Sequence, residues 1–69
     1  MKKEDKFPIQ AGKNIKKLRL KAGLTQEDME DYGISYKHYQ KIETGKTNTT
    51  LRVLFKLANA FKCKYKDLL

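Results

Sequence analysis

Residues with the chemistry for catalysis are few in this 69-residue chain, and their spacing does not suit a reaction. A single histidine, His38, and a single cysteine, Cys63, could pair as nucleophile and base, but so short a chain offers no pocket around them. The same two residues are too few for a zinc site of the usual type. The acidic residues of the stretch 27–31 have the spacing of a solvated helix face. The sequence therefore predicts no enzyme, and we expect no metal, no cofactor and no small-molecule ligand.

Positive charge dominates the composition. Lysine and arginine number 16 against 8 aspartates and glutamates, and half of the acids fall in the single stretch 27–31. Such an imbalance favours a polyanionic partner, either nucleic acid or, less readily, an anionic membrane surface. A lysine-rich surface that only keeps the protein in solution is the alternative.

The size of the chain limits it to one small domain. A mass of 8.1 kDa corresponds to one core, because a chain of this size buries roughly 60% of its surface on folding. No apolar run approaches the length of a transmembrane helix, and the charged start Met1–Gln10 is not followed by the apolar stretch of a secretion signal. With one cysteine and no signal, we expect a cytoplasmic protein that makes no membrane contact.

Helical periodicity runs along most of the chain. Ala11, Ile15, Leu18 and Ala22 follow one another at steps of 4, 3 and 4, which predicts a first helix over residues 9–22. The polar residues 1–8 before it are predicted to be a flexible basic arm, and residues 9–69 to form the domain. Nothing alternates with the period of a strand.

Four further short helices complete the predicted fold. Thr25 and Asp28 can form a capping box for the second helix, and Ser35 can cap the third. If Tyr39 and Ile42 are the inner face of that third helix, the outward positions are Lys37, Gln40, Lys41 and Thr44. A fourth helix, capped by Asn48 or Thr49, carries the apolar stripe from Leu51 to Phe61, and a last turn follows over residues 64–69. The predicted fold is all-α, a compact five-helix bundle.

Helices 2 and 3 and the turn between them resemble a known family. Leu24-Thr25-Gln26-Glu27-Asp28-Met29, then Gly33-Ile34-Ser35, then the run from Tyr39 to Lys46 are similar to the helix-turn-helix domain of the Cro and lambda-type phage repressors, often called the XRE family. The resemblance covers residues 12–69. The family usually has one more residue between the glutamine and the glycine of the turn, so the second helix here must be shorter or its turn tighter.

The resemblance implies a site on double-stranded DNA. In such proteins the third helix enters the major groove, which would bring to the base edges Tyr36, Lys37, Gln40 and Lys41. The phosphate backbone would be contacted at the start of helix 2 and after helix 3, by Thr25, Gln26, Lys46, Thr47 and Asn48. The resemblance also implies an ion pair between Arg19 and Glu43, which would tie helix 1 to the recognition helix.

Two functions are carried forward from the sequence. The first is a sequence-specific transcriptional regulator, expected to be a repressor, that binds a near-palindromic site as a homodimer. Its subunit contact is expected around Tyr65 and Leu69 together with the loop between helices 3 and 4. The second is a protein-interaction or antitoxin-like module of the same fold, which would use the acidic second helix to dock a basic partner and would lack a DNA site of its own.

Overall fold

The computed structural model describes the backbone of residues 3–68 and the side chains of residues 9–68. It contains three α-helices and two 3₁₀ helices, in the order α1 (Lys3–Lys21), first 3₁₀ helix (Glu27–Tyr32), α2 (Tyr36–Glu43), α3 (Leu51–Phe61) and second 3₁₀ helix (Tyr65–Leu68). The described backbone has no strand. The all-α prediction is confirmed, but the five-helix bundle needs a correction, because the second and fifth helices are 3₁₀ and only three are α-helices.

The first helix begins at Lys3 rather than at Ile9. The apolar period that predicts this helix is recognisable only from Ile9 onward, because the residues before it are mostly polar. The segment predicted as a flexible arm is therefore helical in its backbone from Lys3 onward, while Met1 and Lys2 lie outside the described residues.

The second helix is short in residues but not in length. Its six residues, Glu27–Tyr32, are wound as a 3₁₀ helix, which rises about 2.0 Å per residue against about 1.5 Å in an α-helix. It therefore covers about 12 Å, as far as about eight α-helical residues would. The predicted capping box precedes it: the Thr25 N–H donates to Asp28 Oδ2 over 2.8 Å, and the Asp28 N–H donates to Thr25 Oγ1 over 3.1 Å.

Every helical element contributes to one core. The largest fully buried side chains are Ile15, Met29, Tyr39, Ile42, Leu57 and Leu68. The predicted stripe of α3 holds except at Leu51, which is 57% exposed because it is the first residue of the helix and lies beyond the core. The cap of α3 is Thr50, whose Oγ1 accepts from the Val53 N–H over 3.3 Å, and not Asn48 or Thr49. No helix of the described chain is long and apolar enough to cross a membrane.

Backbone-to-backbone contact fixes α2 against α1. A Cβ placed on Gly12 would lie 2.5 Å from the carbonyl oxygens of Ile42 and Glu43, so only glycine allows α1 this close to the end of α2. A Cβ on Gly45 would similarly lie 2.7 Å from the Cα of Ile9. Because these backbones lie so close together, the orientation of α2 relative to α1 is fixed, and with it the direction of the outward face of α2.

Candidate nucleic-acid interface

Two buried side chains set the rotation of α2 about its axis. Tyr39 is 0% and Ile42 1% exposed, so the opposite side of the helix faces solvent, as the sequence predicted. The helix is capped at its start by Ser35, whose Oγ accepts from the His38 N–H over 3.2 Å. The exposed residues on the outward side are Lys37, Gln40, Lys41 and Thr44.

An open groove of about 390 Å³ runs beside this face. It is lined by Gln26, Lys37, Gln40, Lys41, Thr44 and Lys46. Three of these residues are lysines, two carry amides, and no carboxylate is among them. A surface made of cations and hydrogen-bond donors, without competing acids, attracts phosphate oxygens and the acceptor edges of bases.

Five of the residues predicted to contact DNA line this groove. Lys37, Gln40 and Lys41 are there as proposed base readers, and Gln26 and Lys46 as proposed phosphate contacts. Tyr36 is not part of the lining, but its Oη accepts a 2.9 Å hydrogen bond from Nε2 of Gln40, which is.

The remaining predicted phosphate contacts lie outside the groove lining. The hydroxyl of Thr25 already accepts a hydrogen bond within the capping box, and Thr47 Oγ1 is 3.4 Å from the carbonyl oxygen of Asn48, to which it donates. Thr44 lines the groove although it was not among the predicted contacts. The helical periodicity already gave the signal, since Thr44 faces outward together with Lys37 and Gln40.

Behind the groove, one carboxylate joins three elements. Arg19 Nε on α1 is 2.7 Å from Glu43 Oε2 at the end of α2, and the two side chains are only 8% and 3% exposed. Tyr39 donates its hydroxyl to the same Oε2. The other oxygen, Oε1, accepts from Gln26 Nε2 over 2.9 Å. The structure thus brings together Arg19 and Glu43, the pair that the resemblance implied, and adds Gln26 and Tyr39 to it.

Hydrogen bonding keeps Glu43 ionised despite its burial. Burial alone would raise the pKa of the Glu43 carboxyl, but the bonds from Arg19, Tyr39 and Gln26 outweigh it and leave the pKa below its ordinary value. For Arg19, burial would lower the pKa, and the contact with Glu43 reverses the shift and raises it. Burial followed by the Glu43 contact raises the pKa of Tyr39. At neutral pH the negative charge of the Glu43 carboxylate is therefore neutralised by the Arg19 guanidinium, and it does not reduce the positive charge of the groove lysines.

Comparison with known proteins identifies the family of this chain. A family model described as helix-turn-helix matches residues 15–68. The chain belongs to the helix-turn-helix family. The matched residues include the first 3₁₀ helix, the turn at Gly33 and α2, which are together called here the helix-turn-helix unit.

Individual relatives of this helix-turn-helix protein agree with the family assignment. The chain is 36% identical over 58 residues to an uncharacterised HTH-type transcriptional regulator, y4dJ, of Sinorhizobium fredii, covering 83% of this chain and 75% of that one. It is 34% identical over 55 residues to an uncharacterised HTH-type transcriptional regulator of Archaeoglobus fulgidus, covering 78% and 79%.

A solved structure shares the whole fold. The restriction-modification controller protein C.AhdI from Aeromonas hydrophila superimposes with a TM-score of 0.92 at 25% identity, over 99% of this chain and 100% of that one. The XRE-type resemblance seen in the sequence, and with it the prediction of DNA-binding transcription regulation, is confirmed.

The structure also shows where the potential metal ligands and the cysteine of this helix-turn-helix protein lie. Among the side chains of residues 9–68, no three histidine, cysteine, aspartate or glutamate residues are grouped as metal ligands. Cys63 is a free, half-buried thiol. Burial and the charge of Asp67 raise its pKa, which keeps it in the unreactive protonated form at neutral pH.

Proposed function

We propose that this protein is a transcriptional repressor that binds a specific double-stranded DNA site with α2 in the major groove. The observation that carries the proposal is the lysine-lined groove along the solvent face of α2, which contains no acid. The eight residues of α2 extend about 12 Å, and a helix fits the major groove, which is about 12 Å wide. A helix of this size reaches the edges of a few adjacent base pairs.

Lysine and glutamine side chains suit different parts of the DNA. Lys37 lies in the first turn of α2 and Lys41 in the second, both on the outward face, where their ammonium groups would donate to guanine O6 and N7. Lys46 follows the helix and Gln26 precedes the first 3₁₀ helix, so each flanks the helix-turn-helix unit at a level where phosphates run. Thr25, Thr47 and Asn48 are further candidates for phosphate contact on the same two loops.

A second copy of the chain would complete the site. Leu51, Phe55 and Tyr65 are 57%, 53% and 45% exposed, and the rings of Phe55 and Tyr65 meet edge to face at 5.3 Å. Leu51 and Phe55 are one turn apart on α3, so the three side chains form a single apolar patch, called here the α3 patch. Leu69, also expected at the subunit contact, lies outside the described residues.

Covering this patch in a two-fold dimer would hide apolar surface from water and present two α2 helices to one face of the DNA. The two recognition helices would then lie about 34 Å apart, one turn of the duplex. Each operator half would be read by one subunit. Occupancy of such a site at a promoter in the cytoplasm would exclude the polymerase, and this makes repression the expected outcome.

Selection from a random duplex pool tests the proposal directly. The full chain is incubated with the pool at about 0.15 M salt, a physiological ionic strength, and the bound sequences are amplified and read over several rounds. We expect a near-palindrome to be enriched. A Lys37→Ala/Lys41→Ala double variant that keeps its circular-dichroism spectrum is the matched control and should enrich nothing specific.

The alternative functions give different outcomes in the same experiment. Enrichment of no sequence, with salt-sensitive binding to any duplex, would mean a non-specific polyanion binder. Absence of duplex binding altogether would favour the protein-interaction module. Either result would overturn the proposed repressor.

A further inference from the structure

We infer that Tyr36 and Gln40 act together as a reader of adenine, so that each half of the operator contains an A·T pair selected by this couple. The inference rests on the proposed function, since it names the base that the outward face of α2 would recognise. The two residues are four positions apart on α2, and Gln40 Nε2 donates to Tyr36 Oη over 2.9 Å. Gln40 is exposed and lines the groove, whereas Tyr36 is half-buried and is not part of the groove lining.

The contact with Tyr36 decides which groups Gln40 has left to offer. A glutamine side chain carries two N–H donors and one carbonyl oxygen. With one N–H given to Tyr36, there remain one N–H and Oε1, a donor and an acceptor side by side. Adenine presents the complementary pair in the major groove, with N7 as acceptor and its N6 amino group as donor.

The same arrangement disfavours guanine. Guanine presents N7 and O6, which are both acceptors, and would therefore require two donors from one side chain. If Gln40 keeps its bond to Tyr36, Oε1 would face O6 and two lone pairs would oppose each other. The neighbouring lysines, Lys37 and Lys41, carry donors only, so guanine at the adjoining positions suits them.

Tyr36 is a positioning residue in this scheme, because it acts through Gln40. An exposed glutamine rotates about three bonds and loses that freedom when it binds. A tyrosine ring has two torsions, and that of Tyr36 is partly held by the protein surface. The bond between them restricts the orientation of the Gln40 amide before DNA arrives, which lowers the entropy lost when that amide binds the matching base.

The test uses the full chain and the DNA sequence selected in the preceding experiment. Wild type, Gln40→Ala and Tyr36→Phe are measured against duplexes in which each A·T pair of the half-site is replaced by G·C, and against duplexes with 7-deazaadenine, which lacks N7. Tyr32→Phe is the matched control, since Tyr32 is a half-buried tyrosine that does not line the groove. Phenylalanine preserves the ring in both tyrosine variants, so folding is maintained.

We expect one A·T pair per half-site at which wild type loses about tenfold or more in affinity on replacement by G·C. Gln40→Ala should bind both duplexes alike, and 7-deazaadenine at that position should weaken wild type but not Gln40→Ala. Tyr36→Phe should lower the A·T preference several-fold with unchanged binding to random duplex, while Tyr32→Phe keeps the full preference.

Four results would overturn the inference. An A·T preference that survives in Gln40→Ala removes glutamine as the reader, and a preference unchanged in Tyr36→Phe removes the tyrosine as its positioner. If a palindrome is selected but none of its A·T pairs depends on Gln40, this inference fails and the proposed function stands. If no sequence is selected at all, both fail.

Discussion

Gln26 Nε2 on the groove donates a hydrogen bond to Oε1 of the buried Glu43 over 2.9 Å. Through that one carboxylate, the surface proposed to bind DNA is connected to the ion pair with Arg19 in the interior. A change at Glu43 therefore alters folding stability and the orientation of Gln26 together. The two effects can be separated, because stability is measured without DNA.

Removal of the Glu43 carboxylate should destabilise the fold strongly. Glu43→Ala leaves the Arg19 guanidinium buried without its partner, and breaking such a pair from one side lowers the free energy of unfolding by about 3–5 kcal/mol. For a domain of this size that corresponds to a fall in Tm of about 12 °C or more. Urea and thermal denaturation followed by circular dichroism measure the change.

An exposed glutamate serves as the comparison. Glu27→Ala, at the start of the first 3₁₀ helix, removes a solvated side chain and should change the free energy of unfolding by less than about 0.5 kcal/mol. Similar small effects from both substitutions would show that the Arg19–Glu43 pair contributes no more than a surface ion pair.

Acid should destabilise the protein through Glu43. Its pKa is lowered in the folded state, so its contribution to stability is complete above the ordinary glutamate pKa of about 4.3 and is lost as the pH falls through the lower folded value. Asp28, whose pKa is lowered by its hydrogen bonds with Thr25, adds a loss of the same sign. Urea denaturation between pH 7 and pH 2 should show this fall. The Glu43→Gln variant should have a lower free energy of unfolding at neutral pH and should lose less of it as the pH falls. An equally steep loss in this variant would show that other groups cause the acid destabilisation.

A methyl group at Gly12 should separate two helices. Alanine favours a helix over glycine by about 1 kcal/mol, but here its Cβ would lie 2.5 Å from two backbone carbonyl oxygens of α2. Backbone atoms cannot swing aside as a flexible side chain does, so we expect Gly12→Ala to be destabilising by about 1–3 kcal/mol net. Lys13→Ala, the exposed neighbouring position on α1, is the control and should be nearly neutral. A stabilised Gly12→Ala variant would mean that the two helices pack less closely than described.

Substitutions of the groove lysines should have two different effects on DNA binding. Lys37→Ala or Lys41→Ala should cost about 1–3 kcal/mol on the selected site and much less on random DNA, because base contacts carry specificity. Lys46→Ala should weaken both kinds of binding alike and reduce the salt slope by about one unit, as expected for a lost phosphate contact. Titrations of each variant on both duplexes over a salt series provide the measurement. Identical behaviour of all three would show that α2 does not read sequence.

Disruption of the α3 patch should separate the subunits without unfolding them. Phe55→Ser removes an aromatic side chain that is 53% exposed, and Leu20→Ser on α1 removes an apolar one that is 58% exposed elsewhere. We expect sedimentation equilibrium to show a dimer for wild type and Leu20→Ser and a monomer for Phe55→Ser. Affinity for the full palindrome should fall in Phe55→Ser while affinity for a half-site is kept. A dimeric Phe55→Ser protein would place the interface on another surface.

Local pattern predicted much of this fold. The inner stripes of α1, α2 and α3 follow the helical period because burial of apolar side chains selects it, except that Ala22, predicted on the stripe of α1, is exposed after the end of that helix. The positions of Tyr39 and Ile42 gave the outward face of α2 directly. The start of α1 was predicted too late because the mostly polar residues 1–8 lack the apolar period by which a helix is recognised. The sequence predicted Leu51 to be buried because it fits the helical period of α3, but it is the first residue of that helix and lies beyond the core.

Side-chain pairing was less accessible to sequence reasoning. Periodicity places Gln26 and Glu43 on separate helical elements and says nothing about the hydrogen bond between them, since it depends on how the elements pack in three dimensions. Gln40 and Tyr36, in contrast, are neighbours by helical spacing alone, and their pairing could have been predicted from the four-residue step. Thr44 was likewise predicted to lie on the outward face of α2, but its position in the groove lining was not predicted.

The 3₁₀ winding of residues 27–32 also sets the direction in which the chain leaves that helix. Six 3₁₀ residues turn through about 720°, and seven α-helical residues through about 700°. A deletion of one residue from an α-helix would rotate everything that follows by about 100°. If the longer second helix of other family members is α-helical, the change of helix type offsets the missing residue, and the two helices differ by only about 20° in total rotation and about 1.5 Å in length. Helix-turn-helix units that differ by one residue at this place would then present nearly the same surface to DNA.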